Sequence, residues 1–172
     1  KLPSVTTILS ACQSDEKKAS LAAWKARMGD KAADAVRDTA AERGTAMHTY
    51  LEHYLDGTGY KDLTTLGKQA EVMANKIIES GLGDLEELWG LETTLYYPDL
   101  YAGATDVVGI YAGQPAIIDF KQSNKPKRRE WILDYFEQLG AYTMAHNQVY
   151  GTKIQSGIVL MCTKDFLFQK FE

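Results

Sequence analysis

The sequence predicts an α/β fold, with a central mixed sheet flanked by helices and preceded by a helical N-terminal region. Three observations predict it. Residues 14–81 carry helix caps and helical spacing of apolar side chains; residues 88–123 turn aromatic and β-branched with turns at Tyr97-Pro98-Asp99 and Ala112-Gly113-Gln114-Pro115; and residues 129–149 return to helical spacing before two further β-rich segments. At 172 residues the chain fits one domain with one core. Residues 1–85 are expected to form a helical wall and residues 86–172 the αβ core.

The elements follow in order. Ser14-Asp15 is an N-cap followed by acidic residues in the first turn, for a helix that Gly29 ends. A second helix runs from Asp30 to Leu55 and stops at Asp56-Gly57, with the small Gly44 placed for a close packing contact. The third spans Leu66 to Ser80, before Gly81. Three antiparallel strands joined by short turns occupy Leu88 to Ser123. From Arg129 to Val149, Trp131, Tyr135, Gln138, Tyr142 and Ala145 recur at threes and fours and share one helix face, with Trp131 and Tyr135 expected in the core. Gly151 closes this helix, and strands at Lys153–Met161 and Phe166–Phe171 complete the sheet.

Composition narrows the function. An apolar fraction of 45% and a charged fraction of 24% are ordinary for a globular protein, and no apolar run nears the roughly 18 residues of a membrane span, so no membrane partner is expected. The first nine residues lack the series of a signal peptide. Cys12 and Cys162 lie at opposite ends without a CxxC partner, which argues against a zinc finger or a four-cysteine iron–sulfur cluster and for a reducing compartment; the expected location is cytoplasmic, in a bacterial or phage-infected cell, or open if a targeting segment has been trimmed. A net charge of −4 gives no overall attraction for nucleic acid, so DNA would be gripped locally, by Lys125, Lys127, Arg128 and Arg129.

Chemistry concentrates in Gly103-Ala104-Thr105-Asp106 and Ile117-Ile118-Asp119-Phe120-Lys121. In an extended chain Asp119 and Lys121 share one face, while Ala116, Ile118 and Phe120 point the other way into a core. Charges that interrupt a strand's apolar face cost desolvation free energy unless each has a partner, and a divalent cation with a phosphate would supply both. Asp106, Asp119 and Lys121 are therefore the candidate catalytic residues. A zinc peptidase is excluded by spacing: the two histidines of His48-Thr49-Tyr50-Leu51-Glu52-His53 are five apart, about 140° round a helix, where HExxH needs four.

Gly-Thr-Ala-Met-His48, Gly-Ala-Thr-Asp106, Ile-Asp119-Phe-Lys121 and Gln138-Leu-Gly-Ala-Tyr142, in this order and among these elements, resemble the PD-(D/E)XK nuclease superfamily and, within it, the RecB-type exonuclease branch with its mitochondrial and phage members. The resemblance implies a restriction-endonuclease-like fold and a metal-dependent DNA exonuclease acting on single-stranded or free ends. The alternatives are a DNA-end-binding subunit of a helicase–nuclease or recombination complex and a structure-selective endonuclease. It implies metal ligation by His48, Asp106, Asp119 and the Phe120 carbonyl, water activation by Lys121, and a supporting helix face of Gln138 and Tyr142. Gln122-Ser123 departs from the usual Thr-Ser pair after the lysine. Oxygen donors suit Mg²⁺ or Mn²⁺, and an imidazole tilts the choice toward Mn²⁺. Glu52, four residues after His48, is expected to fix the ring's tautomer. Glu92 is expected to open the first strand as an outer acid, and Tyr96, Tyr97 and Tyr101 are candidates for base stacking.

Overall fold

In the computed structural model, which describes residues 1–172, five α-helices, two 3-10 turns and five strands run along the chain. They are α1 (Val5–Ala11), α2 (Asp15–Met28), α3 (Asp30–Asp56), α4 (Thr65–Gly81), β1 (Leu85–Tyr97), β2 (Tyr101–Tyr111), β3 (Gln114–Ser123), α5 (Leu133–Tyr150), β4 (Ser156–Thr163) and β5 (Phe168–Phe171). The helix ends have local causes. Ser14 and Thr64 accept the backbone N–H of Lys17 and Gly67 and so cap α2 and α4, and left-handed glycines at Gly57 and Gly151 end α3 and α5.

Several boundaries differ from the sequence expectation. Helix α1 was not anticipated; Ser4 caps it by accepting from Thr7 N–H. Arg129–Trp131 is a 3-10 turn, and α5 starts only at Leu133 because Ile132 adopts a non-helical conformation. Trp131 is consequently off the helix face and 57% exposed rather than in the core. Strand β4 begins at Ser156, since the Asn147 side chain bonds both backbone groups of Ile154 and holds that segment against the end of α5. Phe166 has φ +72° and belongs to the turn before β5.

The sheet order is β1-β2-β3-β4-β5, antiparallel except for the parallel β3–β4 pair, which α5 connects. Both faces are covered. On one, Ala116, Ile118 and Phe120 join Met47, Leu51, Met73 and Ile77 of α3 and α4. On the other, Ile117 and Val108 meet Leu139, Tyr142 and Ala145 of α5 and Val5 of α1.

The β2–β3 pairing is short. It runs from Tyr111↔Gln114 to Val107↔Ile118 and stops. Before Val107, β2 pairs with β1 and, at Ala102, bridges to Ser4, but no longer with β3; beyond Ile118, β3 pairs only with β4. The sheet therefore forks, and Asp106, Asp119 and Lys121 follow directly where the fork opens.

Candidate active site

A strand that loses its neighbour leaves backbone groups to be satisfied otherwise. Here the Asp106 carboxylate does so: its Oδ2 accepts the Phe120 N–H at 2.7 Å across the fork. The opening also lets both helical layers reach the same place. From α3, His48 Nε2 approaches Asp106 Oδ2 at 3.4 Å, while its Nδ1 is held by the Gly44 carbonyl at 2.8 Å. From α5, Gln138 Oε1 accepts from Lys121 Nζ at 2.8 Å, and Gln138 Nε2 donates to the Tyr142 hydroxyl at 3.0 Å. Lys121 Nζ also lies 2.8 Å from Asp119 Oδ2.

Two glycines permit this convergence. A Cβ on Gly44 would sit 3.1 Å from Gln122 Cγ, so the glycine brings α3 close to β3, as expected from its size. A Cβ on Gly103 would come within 2.7 Å of the Tyr142 ring, so the glycine lets that ring approach β2 closely.

The electrostatics couple two buried carboxylates to two basic groups, His48 and Lys121. Asp106 and Asp119 are both buried. Burial, opposed by the His48 hydrogen bond and reinforced by the Asp119 charge, raises the Asp106 carboxyl from 3.8 to about 7. Burial pulls His48 down, but the hydrogen bond and charge of Asp106 outweigh it and raise the ring from 6.5 to about 9. Lys121 behaves alike, desolvation lowering it and Asp119 raising it above its ordinary value. Asp119 Oδ2 is fully enclosed and, apart from the Lys121 ion pair, accepts no well-aligned hydrogen bond.

No three His, Cys, Asp or Glu side chains converge on one point. The case for a cation rests instead on the donor chemistry: two buried carboxylates and an imidazole beside one of them. These residues fit a hard divalent cation. A cleft of about 610 Å³ opens onto His48 and Asp106, lined also by Gly44, Glu52, Glu92 and Lys121.

The structure thus brings together His48, Asp106, Asp119, Phe120, Lys121, Gln138 and Tyr142. It corrects the role given to Glu52. That side chain is exposed on the cleft wall, and the ring nitrogen it was expected to hold bonds the Gly44 carbonyl one turn back. Glu92 does not open β1 but lies inside it, exposed and with φ +48°, on the same cleft. Tyr135, half-buried, carries Lys121 Nζ 4.7 Å above its ring. Tyr97 and Tyr101 pack on each other at 5.7 Å and the Tyr101 hydroxyl bonds the Ala141 carbonyl, leaving Tyr96 as the exposed member. The basic patch divides: Lys125 and Lys127 line a second cleft, while Arg128 and Arg129 lie over Trp131 and Phe136.

Sequence reasoning passed over Arg43. It is 7% exposed and donates to the side-chain carbonyls of Gln69, Gln122 and Asn124. A signal was present: Arg43 falls in the stripe of Ala46, Met47 and Tyr50, so a cation interrupts a buried helix face as Lys121 interrupts a strand's.

No protein-family model matches the chain. It is similar to Mitochondrial genome maintenance exonuclease 1 of Xenopus tropicalis, 28% identical over 178 residues covering 95% of this chain and 49% of the relative. The human protein of that name is 28% identical over 177 residues, covering 95% and 50%, and the mouse protein 28% over 174 residues. The chain spans about half the length of these relatives. The similarity, which runs through the whole candidate site, relates this α/β chain to proteins named as exonucleases.

Proposed function

We propose that the chain is a divalent-cation-dependent deoxyribonuclease of the PD-(D/E)XK, RecB-like type that removes nucleotides from DNA ends, with preference for single strands. The observation that carries this reading is the meeting of Asp106, Asp119 and Lys121 at the sheet fork with His48 from one layer and Gln138 from the other. Likeness to proteins named as exonucleases supports the choice among nucleases.

Asp106, Asp119, His48 and the Phe120 carbonyl would hold Mg²⁺ or Mn²⁺. Such a cation lowers the pKa of its water and neutralises charge that develops on the scissile phosphate. Asp106 does two things at once, tying β2 to the Phe120 backbone and presenting its carboxylate to the cleft. Lys121, fixed between Asp119 and Gln138, offers an oriented cationic donor to the attacking water or a phosphate oxygen. Tyr142, wedged on Gly103, holds Gln138 and through it the lysine. Helix α3 walls the cleft on one side, and it is along this wall that a strand end would enter.

The test is a time course with end-labelled linear single- and double-stranded DNA and a covalently closed single-stranded circle, in Mg²⁺ and in Mn²⁺. Degradation of the linear strand from an end, with survival of the circle, is expected. Rapid internal cleavage of the circle would replace the exonuclease by a structure-selective endonuclease. Binding of ends without cleavage in either metal would replace the enzyme by an end-binding subunit.

A further inference from the structure

Behind the site, on the far side of Arg43, lies a second cleft of about 780 Å³ between α2, α3 and the segment after β3. Its walls differ chemically. One carries Arg43, Lys125, Lys127 and Lys164; the other carries Trp24, Met28 and Val36; no acidic side chain lines it. In a chain of net charge −4 this is a local reversal of sign.

Arg43 is the unusual member. A buried guanidinium is ordinarily matched by a carboxylate, because an unpaired buried charge is costly. Arg43 takes part in none of the chain's ion pairs, and its three side-chain acceptors are neutral amides. Those amides orient the guanidinium without cancelling its charge. Lys164 has one carboxylate neighbour, the exposed Asp165 at 3.5 Å, and Lys125 and Lys127 have none within ion-pair distance.

The cleft also adjoins the reactive one. Gln122, which lines the site cleft, is bonded at 3.3 Å to Arg43, which lines the second; Asn124, one acceptor further, lines the second as well. Residues 39–45 of α3 border both. Cations facing an aromatic and aliphatic wall match the two sides of a nucleotide, phosphate and base.

We propose that this cleft carries the DNA strand beyond the reactive phosphate, with Arg43, Lys125, Lys127 and Lys164 receiving its phosphates and Trp24 stacking on a base. The proposal rests on the nuclease reading above and adds to it where the strand runs and which residues grip it. It moves the centre of DNA binding away from Arg128 and Arg129, which lie over aromatic rings of their own segment.

Trp24 provides a direct probe, because the other two tryptophans, Trp89 and Trp131, are exposed and replaceable by phenylalanine. In a Trp89→Phe, Trp131→Phe protein, oligothymidylate of about 12 nucleotides, titrated in Ca²⁺ or EDTA, should change Trp24 fluorescence saturably. Arg43→Gln should weaken binding by about tenfold or more, as loss of a charge-assisted contact does. Since a buried site can disturb folding, the half-exposed Lys164→Ala is the control; with circular dichroism unchanged it should lower the slope of log K against log salt by about 0.7. DNA cleavage by the wild type, with Trp24 silent and with wild-type binding by both Arg43→Gln and Lys164→Ala, would overturn the strand path and leave the nuclease standing. A wild type that neither binds nor cuts DNA would overturn both. A Trp24 response to an acidic peptide but not to oligothymidylate would overturn the strand as occupant.

Discussion

Asp106 reaches across the open end of the β2–β3 pairing to accept the backbone N–H of Phe120 at 2.7 Å. The same carboxylate therefore holds the fork and faces the cleft, and two substitutions separate these duties. Asp106→Asn retains an oxygen acceptor and removes the charge; it should stay folded while cleavage falls by orders of magnitude, as should Asp119→Asn. Asp106→Ala also strands a buried N–H and should lose about 1–3 kcal/mol of stability in urea. Near-normal cleavage by a folded Asn variant at either position would remove these residues from the chemistry.

Lys121 is held by Asp119 and Gln138 at 2.8 Å each. Lys121→Ala is expected to lower kcat far more than metal affinity, and Gln138→Ala to do the same more mildly, because it loosens the lysine without removing it. Single-turnover rates beside calorimetric metal titrations decide this. Equal losses in both would make Lys121 a structural counter-ion.

His48 and Asp106 give a pH dependence whose sign is fixed. Both titrate higher in the folded protein, Asp106 from 3.8 to about 7 and His48 from 6.5 to about 9. The metal-free fold therefore binds more protons than the unfolded chain over this span, and its stability should fall as pH rises through it. A cation must displace such a proton, so Mn²⁺ affinity should increase between pH 6 and 8 with proton release, and His48→Ala should weaken it. Calorimetry in buffers of different ionisation enthalpy measures both. Affinity that is flat with pH and unaffected by His48→Ala would leave the ring outside the ligand set.

Gly103 faces the Tyr142 ring with no room for a methyl group. Gly103→Ala should cost about 1–3 kcal/mol by overpacking. It should also lower activity, since displacing the ring disturbs the 3.0 Å Gln138–Tyr142 bond. The cost should be non-additive with Tyr142→Ala, which clears the space. Additive melting shifts would refute the contact.

The parts legible in the sequence are those where one residue's neighbours decide its state. Ser14 and Gly29 bound α2, and Asp30 opens α3, as local rules predict. The alternation around Asp119 gave the buried Ala116, Ile118 and Phe120. What failed turned on competing bonds and turns that residue periodicity does not register. Ile154 has a strand's composition but is claimed by Asn147. Trp131 fits the periodicity of α5 but precedes the helix. The ring of His48 is held by the carbonyl behind it, where the sequence suggested Glu52, because a helix offers a backbone acceptor four residues back to any side chain short enough to reach it. Arg43 stayed hidden because its acceptors, Gln69 on α4 and Gln122 and Asn124 at the end of β3, lie far from it in the chain.

The fork has a consequence for how the protein comes into being. Its contributors lie on α3, β2, β3 and α5, and the parallel β3–β4 pairing that fixes β3 beyond Ile118 forms only after α5 has crossed between them. Contacts that close long loops form late. A chain emerging from the ribosome, or one caught half-refolded, can pair β2 with β3 and bring Asp106 near Asp119, but it lacks Gln138 and the β4 support that hold Lys121 beside them. The hydrolysis proposed for this site would then wait for α5 and β4 to dock, since only they fix the lysine in place.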